Sequence, residues 1–181
     1  MNEFIQQLPT LLGVIIGALG SYVAIMRGER VRFRREQAVR WEERRLSTYT
    51  EYARSVKKTV TLTYRIAAHH GNDPHPHPLS PAEAEPLLAE ANDARDPAGE
   101  ALLMLGTKDV VDKARVWVVV VIEMELFVHE GRLAPEEWQA LLERQRVARE
   151  GYYAATRTDL ALPPGHSGRW QATWPRADAA D

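Results

Sequence analysis

The 181-residue chain contains no cysteine. It therefore forms no disulfide bond and carries no acylated cysteine of the lipoprotein kind, a composition that suits the reducing cytoplasm. Charged residues make up 27% of the chain and apolar residues 45%. This balance excludes both a disordered chain and a multi-pass membrane protein, and the length suits one domain with an anchor.

The sequence also lacks the motifs that assemble a catalytic centre. It has no Gly-x-Ser-x-Gly nucleophile elbow and no glycine-rich loop that would hold a phosphate. Its paired carboxylates, such as Glu136 and Glu137, fall where the positive end of a helix dipole favours acidic residues. We therefore predict a protein without enzymatic activity and without a cofactor.

No charged residue occurs between Glu3 and Arg27. A helix over the 23 residues 4–26 would be about 34 Å long, which is enough to cross a hydrocarbon core of about 30 Å. A cleaved signal peptide is the alternative, with Ala18–Gly20 as a small-x-small cleavage site. Because the residues before the apolar run include an acid and no Lys or Arg, we predict a transmembrane helix over 4–26 instead.

Arginines follow this span closely. Five of them lie within ten residues of its end: Arg27, Arg30, Arg32, Arg34 and Arg35. Arg-rich flanks remain cytoplasmic, so we predict a single-pass plasma-membrane protein with its N-terminus outside and the bulk of the chain inside. We expect the five arginines to bind anionic lipid headgroups, at roughly 1 kcal/mol each. Nucleic acid is the less favoured polyanion, because glutamates alternate with the arginines and the bilayer is adjacent.

Small residues recur every four positions inside the predicted span, at Gly13, Gly17 and Ser21. Such a row lets two membrane helices approach closely, which predicts a homodimer with these residues at its interface. The alternative is that glycine is simply common in membrane helices.

No glycine or proline interrupts residues 29–70. Apolar residues recur there about every 3.5 positions, which predicts one long amphipathic helix that continues from the membrane helix. The track comprises Val39, Leu46, Tyr49, Ala53, Val56, Val60 and Ala67, with Glu42 and Thr63 as its polar members. Residues 59–66 alternate like a strand, but no hairpin turn or partner strand lies nearby, so we predict a helix there too. Gly71 is the predicted stop.

A second helix is predicted to begin at Ser80 and Pro81, where Glu83 completes a capping box, although Pro86 allows a later start. Its predicted buried stripe comprises Leu87, Leu88, Ala91, Ala94, Ala98, Leu102 and Leu105.

A third helix is predicted over about 108–130. Its run 116–122 is apolar on all sides, so we expect this helix to be the most buried element of the bundle. The fourth helix begins at Pro135, a favoured first position, and ends near residue 162.

Four histidines surround a proline-rich loop that carries only one acid, Asp73. They are His69, His70, His75 and His77. Imidazoles are good ligands for zinc, copper or nickel. Metal sites also need ligands that converge, which a loop of this composition does not guarantee. We therefore predict a solvated loop rather than a metal site, and metal handling is the third functional alternative.

Residues 163–181 have the composition of a flexible tail. Trp170 and Trp174 within it are aromatic residues in a polar setting. They fit either a short motif that docks into a partner's groove or a segment that folds back on the bundle.

A charge-free span precedes three local sequences: WEERRLSTYTEY (41–52), LGTKDVVDKA (105–114) and TRTDLAL (156–162). In this order of features the chain resembles uncharacterised actinobacterial membrane-anchored helical proteins. The resemblance covers most of residues 4–162 and does not extend to the histidine loop or the tryptophan tail. It implies a topology and no activity.

These features predict an all-α protein with four parts. They are a transmembrane helix (4–26), a basic juxtamembrane helix (27–45), a small antiparallel helical bundle (46–162) and a tail (163–181). We expect a membrane-tethered interaction or scaffold module that binds a protein partner. A small sensor, or a stress or defence effector, regulated by oligomerisation is the alternative.

Overall fold

The computed structural model describes residues 37–131 and 134–163, and in those residues it shows four helices and no strand. The predicted all-α bundle is therefore confirmed. The predicted membrane helix 4–26 lies outside the described residues, as do residues 27–36 and 164–181. Within the described ranges, no helix combines the length and the apolar character of a membrane span.

Helix α1 covers residues 37–69. The chain divides into two compact units after Arg44, so residues 37–44 are taken by themselves. They are exposed, and the Arg44 guanidinium lies 5.8 Å from the centre of the Trp41 ring, a cation–π distance. Val39, the first member of the predicted apolar track, is 53% exposed, because the described part of this unit has no second element to cover it.

From Arg45 onward, α1 forms one wall of the bundle. The predicted track from Tyr49 to Ala67 is buried, including Thr63. Leu46 was predicted to belong to it and is half exposed. This prediction is wrong because the neighbouring helix ends at that level, where its last residue pairs with Arg45.

The strand-like residues 59–66 are helical, as predicted. Threonine hydroxyls there bond back to the helix itself: Thr63 Oγ1 donates to the Val60 carbonyl (2.8 Å), and Thr61 Oγ1 donates to that of Lys57 (2.9 Å). These bonds let polar β-branched residues remain in a helix. The stop at Gly71 is confirmed, with a φ of 79° and the Asn72 N–H donating to the Ala67 carbonyl.

Helix α2 covers Pro81–Leu105 and begins as predicted. The Glu83 N–H donates to Ser80 Oγ, and the Ser80 N–H donates to Glu83 Oε2, so the capping box is complete. Its buried residues are Ala84, Ala91, Ala98 and Leu102. The prediction that Ala94 is buried is wrong, because it lies just beyond the edge of this narrow stripe.

Helices α3 (Lys108–His129) and α4 (Pro135–Asp159) pack against each other as an antiparallel pair. Phe127 and the fully buried Trp138 stack with ring centres 5.7 Å apart. The prediction that α3 is the most buried element is wrong, since α1 contributes more buried residues and one side of α3 is exposed.

An aromatic cluster fixes how α1, α3 and α4 meet. Trp117 is fully buried, with its ring centre 6.4 Å from Tyr52 on α1 and 5.4 Å from Tyr152 on α4. The Tyr52 hydroxyl donates to the Ala114 carbonyl (3.1 Å), and that of Tyr152 donates to the Tyr49 carbonyl (2.9 Å). Burial raises the pKa of Tyr52 to about 12, so this hydroxyl stays protonated and remains a donor.

Polar contacts join the remaining helix edges. Lys58 on α1 pairs with Glu90 on α2 (2.8 Å), and Arg95 on α2 pairs with Glu125 on α3 (3.4 Å). Through these two ion pairs, α2 contacts both α1 and α3.

A further contact fastens the start of the bundle to its end. The Tyr49 hydroxyl donates to Asp159 Oδ2 at 2.6 Å, and the Arg45 guanidinium pairs with the same carboxylate. The Asp159 side chain is only 7% exposed, so this contact is shielded from water on most sides. It holds the last turn of α4 against α1.

Two substitutions on α3 test which side of the helix is buried in the core of the bundle. Val121 is fully buried and Val116 is 55% exposed. We expect Val121→Asp to remove several kcal/mol of the roughly 5–15 kcal/mol that stabilises a domain, because it buries an unpaired carboxylate. Val116→Asp should change stability by less than about 1 kcal/mol. Urea-gradient proteolysis of the full chain measures both, and equal losses would contradict this orientation of α3.

Candidate interaction surface

Four large apolar side chains on α3 point away from the bundle. They are Val116 (55% exposed), Val119 (51%), Ile122 (42%) and Leu126 (56%). Their spacings of three, three and four residues place them on one side of the helix. We call this set the α3 face.

The α3 face lies opposite the buried side of the same helix. The inward residues of α3 are Val110, Ala114, Trp117, Val120, Val121, Met124, Phe127 and Val128. On one flank α3 contacts α4, and on the other it contacts α2. No described helix covers the remaining side, so the α3 face stays open to water.

The pairing of α3 with α4 shows what else lies beside this face. Arg144 makes a two-pronged ion pair with Glu123, with N–O distances of 2.6 and 3.0 Å. Because the helices are antiparallel, Val147 is then level with residue 120 of α3. Val147 is 55% exposed and therefore extends the apolar surface onto α4.

Charge is distributed unevenly along the surface. Near the start of α3, Lys108 and Arg115 both contact Asp112, at 2.5 and 3.9 Å, which gives this end a net charge of +1. Towards the other end of the α3 face, three glutamates and one arginine line the groove between α3 and α4: Glu123, Glu130, Glu137 and Arg144. These four residues together have a net charge of −2. The α3 face thus lies between a basic end and an acidic end.

Two open grooves lie between α3 and the helices on either side of it. One, of about 340 Å³, lies between α3 and α4, with Leu126, Phe127, Ala140 and Leu141 among its lining residues. The other, of about 440 Å³, lies between α2 and α3 and is lined by Leu103, Val111 and Val118 among others. Each groove is large enough to accept side chains of a partner that lies along α3.

The histidine loop is held by hydrogen bonds. Asp73 Oδ2 accepts from the indole N–H of Trp138 at 3.2 Å, and Asp73 Oδ1 accepts from the His75 N–H at 3.0 Å. The His77 N–H donates to His75 Nδ1 at 3.2 Å, while the Arg65 side chain donates to the His77 carbonyl. The loop is therefore an ordered connection between α1 and α2 that docks on α4.

The four histidines of the loop lie in two close pairs. The His75 and His77 rings are 6.1 Å apart, and the His69 and His70 rings are 5.4 Å apart. Within residues 37–131 and 134–163, no three His, Cys, Asp or Glu side chains are grouped so as to hold an ion. Because Nδ1 of His75 accepts a hydrogen bond, the ring proton lies on Nε2 and blocks that nitrogen as a ligand.

Burial affects the ionisation of this loop in two ways. It raises the pKa of Asp73, although the hydrogen bonds from Trp138 and His75 oppose the rise. It lowers the pKa of His75 below the ordinary value of 6.5. The hydrogen bond that Nδ1 accepts likewise requires the neutral ring, so a neutral His75 belongs to the folded loop.

The predicted functional residues of the N-terminal segment lie outside the described residues. These are Gly13, Gly17 and Ser21 of the predicted seam and Arg27, Arg30, Arg32, Arg34 and Arg35 of the predicted headgroup site. Trp170 and Trp174 of the tail lie outside them as well. They stay predictions.

Sequence reasoning assigned the α3 face to the core. Every residue from Val116 to Ile122 is apolar, so the run has no polar side that would identify the exposed direction. A usable signal lies in side-chain size: Trp117 marks the inward side, and Val119, about half a turn away from it, is exposed.

Comparisons of the chain with protein-family models, curated proteins and solved structures find no match.

The loop makes stability depend on pH through His75. Because its folded pKa lies below 6.5, the stabilisation from the neutral ring is complete above pH 6.5 and is lost as the pH falls through the folded pKa. We expect the advantage of the natural chain over His75→Asn to shrink on acidification from pH 7.5 to 5.5, because asparagine keeps an acceptor and does not titrate. Urea unfolding of both chains measures this, and parallel pH curves would rule it out.

Proposed function

We propose that this chain is a membrane-tethered helical interaction module, which the apolar segment 4–26 anchors and which binds a partner helix through the α3 face. The observation that carries the proposal is the α3 face itself. Single exposed apolar residues are normal on protein surfaces and need no explanation. Four on one helix side, extended by Val147, form a continuous patch of the kind that marks a binding surface.

The shape of the surface favours a helix as the partner. From Val116 to Leu126 the apolar ridge is about 15 Å long, close to three helical turns. The two grooves between α3 and its neighbouring helices combine apolar and charged lining residues. An amphipathic helix that lies along α3 would place its own apolar side chains in them.

The anchor suits such a surface. A patch of four or five side chains is small by the standard of stable interfaces, so we expect weak binding in free solution. Confining both partners to one membrane raises their effective concentration and compensates for low affinity. The charge-free length of 4–26 and the five arginines after it support this anchor and the cytoplasmic placement of the bundle.

The alternative is a small sensor, or a stress or defence effector, whose state depends on oligomerisation. The row Gly13, Gly17 and Ser21 favours this alternative. Metal handling loses support, because His75 Nδ1 is engaged by the backbone of the same loop.

The anchor predicts a topology. A reporter that is active only in the cytoplasm, fused after Asp181, should give signal in intact cells, because the arginine flank retains the following chain inside. Its signal should fall when Arg27, Arg30, Arg32, Arg34 and Arg35 are all replaced by Gln. Digestion of the C-terminus by protease added outside intact cells would contradict both the orientation and the proposed location.

The α3 face predicts a specific contact in the native membrane. A photoreactive amino acid at Val119 should produce a discrete crosslinked species, whereas the same group at the exposed Glu51 of α1 should not. Ile122→Lys places a charge in the centre of the face, so it should reduce the yield of the crosslinked species by about tenfold or more. Glu85→Lys, at an exposed position on α2, is the matched control and should leave it unchanged.

Two outcomes would show that the α3 face is not a binding surface. Val119 and Glu51 would give adducts of equal yield, or Ile122→Lys would leave the yield of the Val119 adduct unchanged. Circular dichroism of each variant confirms that the bundle is folded.

A further inference from the structure

We infer that the helix bound by the α3 face is α3 of a second copy of this chain, packed antiparallel across a two-fold axis. The inference rests on the proposed function and names its partner. Three properties of the surface support it: the symmetric spacing of its apolar residues, the opposite charges of its ends and the position of Val147.

The apolar residues are symmetric about the middle of the α3 face. When two copies of one helix pack antiparallel, residues at the same level have numbers with a constant sum. A centre between residues 120 and 121 brings Val119 level with Ile122 of the other copy (sum 241), and brings Val116 within one residue, about 1.5 Å, of the level of Leu126 (sum 242). Each pair joins a shorter and a longer side chain, which suits interdigitation. All four side chains that are exposed in one copy are then used.

The charges select the antiparallel arrangement over the parallel one. Antiparallel packing brings the basic end of one copy, with Lys108 and Arg115, towards the end of the other copy where Glu130 and Glu137 line the groove between α3 and α4. Parallel packing brings the two acidic ends together, and like charges across an interface oppose association. A self-complementary surface of this kind is what a two-fold dimer requires.

Val147 adds to the contact at its centre. Its level on α4 corresponds to residue 120 of α3, which is almost the position of the two-fold axis. The Val147 side chains of the two copies therefore approach each other beside the Val119–Ile122 pairs. The contact thus widens from α3 alone to α3 with one residue of α4.

The chain is well suited to a direct test, because it contains no cysteine and a single introduced thiol has no competitor. Two full-length copies with different tags are co-expressed and oxidised in their own membranes. One carries Val116→Cys and the other carries Leu126→Cys. In the antiparallel dimer these positions differ in level by about 1.5 Å, which brings them near the reach of a disulfide, for which the Cα atoms lie about 4.4–6.8 Å apart. Two copies of the same variant place their thiols about 15 Å apart along the axis.

We expect a disulfide-linked dimer that contains both tags when the two variants are co-expressed, and no such dimer when either variant is expressed alone. Its yield should fall by about tenfold or more when both copies also carry Val119→Lys, and should be unaffected by Glu85→Lys. A pair with Glu51→Cys in one copy and Leu126→Cys in the other is the control for chance collisions in the membrane. It should give no more product than background.

The remaining outcomes overturn the inference in distinguishable ways. A dimer from Val116→Cys alone, with no gain from mixing, would show parallel packing. In a second outcome no mixed disulfide forms and the Val119 photoadduct contains a different protein. This result would leave the proposed function intact and would refute the second copy as the partner. Absence of both products would refute the two proposals together.

Discussion

The burial of Trp117 between Tyr52 and Tyr152 determines how the helices are arranged. This one contact joins α1, α3 and α4, and it requires the indole side of α3 to face inward. Because a helix has a single opposite side, the same contact turns Val119 and the rest of the α3 face outward. The exposed surface of α3 is thus a direct consequence of where its largest side chain packs.

The sequence predicted where the helices begin better than it predicted which side of each helix is buried. Ser80 with Glu83 and Pro135 at a first helical position are local signals, and both helices begin there. The outward side of α3 depends on a partner more than thirty residues away along the chain, Tyr152, so no local pattern contained it. The exposure of Leu46 has the same kind of origin, since it depends on where α4 ends.

The histidine loop also shows what the sequence could not predict, in this case a contact that is distant along the chain. Its proline content predicted a solvated segment, yet Asp73 bonds to Trp138, a residue 65 positions later. Such a bond stabilises a loop because a buried indole N–H without an acceptor is costly. Composition identified the loop correctly and could not identify its attachment to α4.

The contact of Asp159 with Arg45 and Tyr49 has a mechanical consequence. It joins the residue at which the bundle begins to the residue at which its last helix ends, so the two chain exits lie at one end of the bundle. A force applied between these exits would act on that contact first and would peel the last turn of α4 from α1. The buried aromatic cluster further along the helices would carry little of the load. The bundle is therefore built to yield at one end while the surface of α3 keeps its shape.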